Sequence, residues 1–154
     1  MPAITTAYVR NIIKRGLSEL VDASPSKEDV ALIWQHFGCT CAFCGKPLKR
    51  DAEEGRIDHL IAASQGGPNA LGNRVLACGP CNDKEKLHLD WKEFLQRKSE
   101  SPTVFQERRH RIAAWQELHP IPNLKELRDA AALKAQEVIA VFDEKVRELL
   151  RHSR

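Results

Sequence analysis

Two short runs, Cys41-Ala42-Phe43-Cys44 and Cys78-Gly79-Pro80-Cys81-Asn82, decide how the rest of this chain reads. Each holds a Cys-x-x-Cys pair, the spacing with which one tight turn presents two thiolates to a single ion. Four sulfurs complete a tetrahedron around Zn2+ and leave no position for water, so the implied zinc is structural. It would staple the two ends of the segment between the pairs, where a small unit has little core of its own to bury. Four unrelated buried cysteines account poorly for the pairing, and a rubredoxin-type iron site is the rarer use of the same ligands. Cys39, two residues before the first pair, reads as a partly buried spare thiol.

Between the pairs lie Arg56-Ile57-Asp58-His59-Leu60, then Gln65-Gly66-Gly67-Pro68-Asn69, then Asn73. None of these is needed to hold zinc. Asp58 and His59 are adjacent, so on a strand their side chains point to opposite faces. That arrangement lets a carboxylate face a metal while an imidazole faces water. Asp58 and the Asn82 amide are oxygen donors of the kind that Mg2+ takes. Taken alone, an Asp-His step is a common dipeptide and Asn82 is a helix cap; their combination in this order, bracketed by the Cys pairs, is not expected by chance.

The totals set bounds. A chain of 154 residues, 42% hydrophobic and 29% charged, has room for one domain with appendages and a modest core. The formal net charge of +3 is a weak witness for a nucleic-acid partner. One zinc on four thiolates would lower it to about +1, and a second divalent cation would restore it. Five cysteines, four of them paired by spacing, do not make a secreted disulfide framework. The start, Met1-Pro2-Ala3-Ile4-Thr5-Thr6, lacks a basic segment followed by an apolar run, and no stretch is apolar enough for a membrane span. The expectation is a cytoplasmic protein without membrane contact.

Periodicity places helices on both sides of the motif region. Val9, Ile13, Leu17 and Leu20 predict a helix over 5–21, with Arg10, Lys14 and Arg15 as solvated charges. Ser26 with Asp29 predicts an N-cap, and Val30, Ile33, Trp34 and Phe37 a helix that stops at Gly38. Arg56 to Ile61 and Arg74 to Ala77 are the candidate strands, and Ser64 to Gly72 is a loop that needs local anchors. Leu87, Trp91, Phe94 and Leu95 predict one helix from about Asn82 to Lys98. Ser101-Pro102 opens a helix to Leu118, His119-Pro120-Ile121-Pro122 is a stiff linker, and Asn123 caps a last helix to about Leu150. The predicted fold class is α+β, mostly helical, divided into 1–35, 36–98 and 99–154.

The pattern Asp58-His59, Asn73 and Asn82, spaced H-x13-N-x8-N inside two C-x-x-C pairs, resembles the HNH endonuclease family. The Gly66-Gly67 loop and the Cys78 to Lys84 run resemble that family too. The resemblance covers about residues 36 to 95 and implies a ββα-metal core stapled by the four-cysteine zinc site. It implies His59 as general base, Asp58 and Asn82 as holders of one catalytic cation (Mg2+ or Mn2+), and Asn73 as the residue that braces the loop and orients His59. The last letter of the family name is here Asn82, a variant of the Cys-stapled branch. It further implies a DNA endonuclease that leaves 5′-phosphate and 3′-hydroxyl ends, as a monomer or a homodimer. Lys84 and Lys86 are candidate phosphate contacts, with solvent-facing lysines as the bland alternative. Lys46 to Arg50 and Arg108 to Arg111 are further basic groups for which surface roles serve equally. His36, His88, His110, His119 and His152 lack ligand spacing, and Trp34, Trp91 and Trp115 fall at core positions. The rival of another class is a non-catalytic zinc module that binds DNA or protein.

Overall fold

Each expected strand forms, and the two pair with one another: β1 (Gly55–His59) runs antiparallel to β2 (Arg74–Cys78), with Asp58 opposite Val75 and His59 opposite Arg74. The computed structural model describes residues 4–152, with side chains to 151; Met1 to Ala3 and the His152 side chain lie outside the described residues. The other elements are α1 (Thr6–Val21), α2 (Lys27–His36), two 3-10 turns between the strands (Ala63–Gln65 and Leu71–Asn73), a π-helical segment (Pro80–Lys86), α3 (Trp91–Arg97), α4 (Pro102–Leu118) and α5 (Lys125–His152). The fold is therefore α+β and mostly helical.

The chain divides into two units, 24–122 and 1–23 with 123–154. This division does not follow the segments 1–35, 36–98 and 99–154. Periodicity marks the apolar face of a helix but not the surface that face meets. α2 and α4 bury theirs in the same core as the hairpin, through Ile33, Trp34, Ile112 and Trp115.

In the larger unit, α2 starts with a reciprocal cap. The Ser26 hydroxyl accepts from Asp29 N at 3.1 Å, and Asp29 accepts from Ser26 N at 2.9 Å. Ile33, Phe37, Phe43, Val75, Leu76 and Leu95 are fully buried between α2, β2 and α3. The first Cys pair sits on a knuckle tied to β2 by Ala42 N donating to Leu76 O at 2.7 Å. Gly45 in this knuckle has φ +72°, and a Cβ there would lie 2.5 Å from the Arg108 guanidinium. Arg108 donates through Nη1 to the carbonyls of Phe43 and Lys98, both at 3.0 Å. Arg108 thus anchors the knuckle to α4 and is committed to the protein interior. Cys39 is exposed at φ +54°, not partly buried.

The single helix expected from Asn82 to Lys98 is two elements. The first is the π-helical segment, where Lys86 is buried. Leu87 then takes φ +48° and ψ −111°, which no helix continues, and its side chain is 54% exposed instead of joining the apolar face. Asp90 restarts the chain as α3, accepting from Lys92 N and Glu93 N at 2.9 and 3.1 Å. The turn of Lys86 into the core is what the sequence period does not reveal.

In the smaller unit α1 packs along α5. Thr5 caps α1 by accepting from Tyr8 N at 3.1 Å, and Asn123 accepts from Lys125 N at 3.2 Å. Arg10 pairs with Asp143 at 2.9 Å, and Arg128 lies 3.6 Å from the buried Asp22. Arg10 is therefore a partnered residue and not a free solvated charge. Among the described residues no helix is long and apolar enough to cross a membrane.

Candidate functional site

Cys41, Cys44, Cys78 and Cys81 converge, their sulfurs all within 4.8 Å of one another. The Cys44 and Cys78 sulfurs are 3.7 Å apart, close to the edge of about 3.8 Å of a tetrahedron with Zn–S bonds of about 2.3 Å. Cys41 is pushed up to about 11, first by its hydrogen bond with Cys44 and then by burial. Cys44 is lowered by the S–H groups of Cys41 and Cys81, and the hydrogen bonds that Cys81 makes with Cys41 and Cys44 raise Cys81. One thiolate is stabilised by its neighbours while the others resist ionising. A dication among them removes that conflict, so the donor set fits zinc in chemistry and spacing.

The hairpin sends Asp58 and His59 to opposite sides. Asp58 is 8% exposed, and its Oδ2 atom is buried without a hydrogen-bond partner. Lys86 Nζ lies 3.4 Å from that oxygen, an ion-pair distance without hydrogen-bond alignment, and donates instead to the His59 carbonyl at 2.6 Å. Burial raises the Asp58 pKa above its ordinary 3.8, opposed first by the charge of Lys86. A buried anionic oxygen without a donor is what a hard-cation site requires, so Asp58 fits a divalent ion. Asn82 is partly buried inside the π-helical segment and does not cap it; its Nδ2 donates to Asp83 Oδ1 at 2.6 Å. The structure joins Asn82 to neither Asp58 nor His59 by a hydrogen bond.

The His59 ring meets two residues that the sequence reading passed over. Its Nδ1 is 2.8 Å from Arg74 Nη1 and its Nε2 is 3.1 Å from Asn69 Oδ1. Arg74 Nη2 also donates to Asn69 Oδ1, at 2.9 Å. A guanidinium only donates, so Nδ1 is the acceptor; Nε2 carries the proton and gives it to the Asn69 oxygen. The ring is thereby a neutral imidazole with its basic nitrogen assigned.

Asn73 does not touch His59. It is fully buried and ties both ends of the loop between the strands: Oδ1 accepts from Ile61 N at 2.8 Å, and Nδ2 donates to Ile61 O and Pro68 O at 3.0 and 2.8 Å. The loop comes so close that a Cβ on Gly67 would lie 1.8 Å from Ile61 O, which only glycine tolerates. The loop so held presents Asn69 to His59. The contact with the imidazole expected of Asn73 is made by Asn69 instead. Trp115 Nε1 completes the frame from α4, donating to Leu71 O and Arg74 O at 3.0 and 2.9 Å.

Lys84 is exposed and, among the described residues, makes no ion pair. Lys86, its counterpart in the sequence reading, is 1% exposed and faces inward, so it cannot reach a bound phosphate without leaving Asp58. Asn69 gave a signal, as the only amide in the Gly-Gly-Pro-Asn turn. Arg74 becomes visible only once the strand register is known.

Comparison with known proteins agrees with this geometry. Residues 41–86 match the family model described as HNH endonuclease. The chain is also similar to the CRISPR-associated endonuclease Cas9 of Corynebacterium diphtheriae, at 34% identity over 71 residues. That match takes in 42% of this chain and 6% of the length of that protein. With its ββα-metal core and four-cysteine cluster, the segment 41–86 of this chain belongs to the HNH endonuclease family.

Proposed function

We propose that this chain hydrolyses DNA phosphodiester bonds, with His59 as general base and one divalent cation at Asp58 and Asn82. The observation that carries the reading is the His59 ring, held neutral with Nδ1 as its acceptor nitrogen by Asn69 and Arg74. A neutral imidazole accepts a proton near pH 7. Nδ1 takes the proton of a water as its oxygen attacks phosphorus in line; the bond from phosphorus to the 3′ oxygen breaks, and that oxygen takes a proton from solvent water, leaving a 5′-phosphate and a 3′-hydroxyl. A divalent cation, Mg2+ or Mn2+, would neutralise the phosphate and stabilise the departing oxygen. Asn69 fixes the ring through Nε2, and exposed Lys84 supplies a phosphate contact. Zinc on Cys41, Cys44, Cys78 and Cys81 would hold the strand and the π-helical segment together and, with all four positions taken by sulfur, would take no part in the chemistry.

The other reading, a non-catalytic zinc module, explains the cysteines but gives no reason for the constrained imidazole. Plasmid cleavage with Mg2+ or Mn2+, comparing wild type with His59→Ala while zinc content is followed, separates the two. Metal-dependent cutting that vanishes in the variant at unchanged zinc content is the expected outcome. DNA binding without any cutting by the wild type would favour the zinc module.

A further inference from the structure

We propose that Arg74 is a movable cover on the general base, drawn off by the phosphate of the DNA it acts on. The proposal rests on the nuclease reading above and adds a residue and a sequence of events to it. Arg74 pairs with His59 across the end of the hairpin, which places the guanidinium beside the imidazole. Its Nη1 donates to Nδ1 at 2.8 Å. An imidazole nitrogen has one lone pair, so Nδ1 cannot accept from Arg74 and from an attacking water together. Proton abstraction by Nδ1 therefore requires the guanidinium to move aside.

The chain around Arg74 is built so that only the side chain needs to move. Its carbonyl is fixed by Trp115 Nε1 at 2.9 Å, and the preceding Asn73 is buried and hydrogen-bonded. The groups that Nη1 and Nη2 hydrogen-bond here, an imidazole nitrogen and an amide oxygen, are both neutral, while the Asp58 carboxylate is felt by Arg74 through its charge. A phosphodiester offers two anionic oxygens in the fork geometry that guanidinium matches, adding a charge attraction that a neutral nitrogen and a neutral oxygen do not supply. A DNA strand arriving at the ring supplies the better partner. Arg74 then grips the phosphate and uncovers Nδ1 in one exchange, so the base is exposed only when its substrate is present. Nε2 keeps its bond to Asn69, and the ring stays oriented throughout.

The test uses the full zinc-loaded chain with ring-15N histidine, in buffer without Mg2+ or Mn2+ so that nothing turns over, and a short duplex as probe. At alkaline pH the ring is neutral in every variant, and the Nδ1 resonance reports whether a donor is on it. In wild type that resonance should move on adding duplex. In Arg74→Met it should start at the uncovered position and stay there. Arg74→Met should also lower the slope of log affinity against log salt by about one, the loss of one phosphate contact. Its KM for cleavage should rise about tenfold, with kcat held within about threefold. Arg74→Lys, a cation without the fork, should keep the salt slope and recover only part of the KM. The cover is overturned if bound duplex leaves the wild-type resonance in place. It is equally overturned if Arg74→Met lowers kcat at constant KM and salt slope, which would make Arg74 a fixed prop. Failure of the wild type to cut any DNA with Mg2+ or Mn2+, or to bind it, takes the nuclease reading down as well, so the two failures are told apart.

Discussion

Lys86 Nζ reaches back from the π-helical segment to the end of β1, donating to the His59 carbonyl at 2.6 Å and lying 3.4 Å from Asp58 Oδ2. The lysine is 1% exposed, so its charge is held inside the protein by the residue proposed to bind the catalytic cation. π-helical turns concentrate at functional sites, and here the wider turn is what delivers the ammonium to the hairpin. Removing it takes from a buried carboxylate its nearest counter-charge and leaves it only the weaker influence of Arg74. Lys86→Met should therefore lower stability by about 3–5 kcal/mol in metal-free protein. Asp58→Asn in the same chain should return much of the loss, because the uncompensated charge is gone. Urea unfolding of the two single variants and the double one measures this, and simple additivity of the losses would refute the coupling.

The raised Asp58 pKa sets the direction of two pH effects. Burial holds more proton on the folded carboxyl than on the unfolded one. The contribution of Asp58 to stability is thus fully present below 3.8 and is lost as pH rises through the higher folded value. Cation binding runs the opposite way, because the ion needs the carboxylate. Binding of Mn2+ followed by EPR should be half lost at a pH above 3.8, the ordinary value, and Lys86→Met should move that point higher still. A midpoint at or below the ordinary value would contradict the burial argument.

The cysteine cluster and the helices α1, α2, α4 and α5 were legible in the sequence because each rests on local spacing. Two sulfurs per turn need only a Cys-x-x-Cys, and the cap of α2 only Ser26 and Asp29. What escaped depends on register and tertiary contact. Arg74 faces His59 because the hairpin pairs them, and a 14-residue connection such as 60–73 leaves that pairing unset by turn geometry. Lys86 looked like a surface lysine because a helical period of 3.6 carries it outward; the π-turn carries it in. Asn73 stood out in the sequence, but its three bonds go to the loop backbone, and the histidine ring meets Asn69.

That difference between the two asparagines is measurable. Asn73→Ala leaves the Ile61 and Pro68 backbone groups without partners inside the protein and should cost about 2–4 kcal/mol. Asn69→Ala removes the oxygen that holds two side-chain groups, His59 Nε2 and Arg74 Nη2, and should leave the melting temperature within a few degrees while kcat falls about 10–100-fold. Calorimetry and single-turnover cleavage on both variants decide it. Equal thermal losses would mean that Asn69 is a structural residue like its neighbour.

Trp115 extends the site into a helix outside the family match. Its ring is 2% exposed, and its single N–H bridges Leu71 O and Arg74 O, on either side of Asn73. Trp115→Phe keeps most of the apolar contact and deletes the donor, which should cost about 1–3 kcal/mol. The larger consequence is expected at the site, because the Arg74 carbonyl is then free to shift and the guanidinium loses its fixed base. Amide hydrogen exchange should rise over 71–74 and not over α2, whose capping hydrogen bonds do not involve Trp115. Uniform loss of protection across the unit would instead identify Trp115 as a core residue whose hydrogen bonds carry no local role.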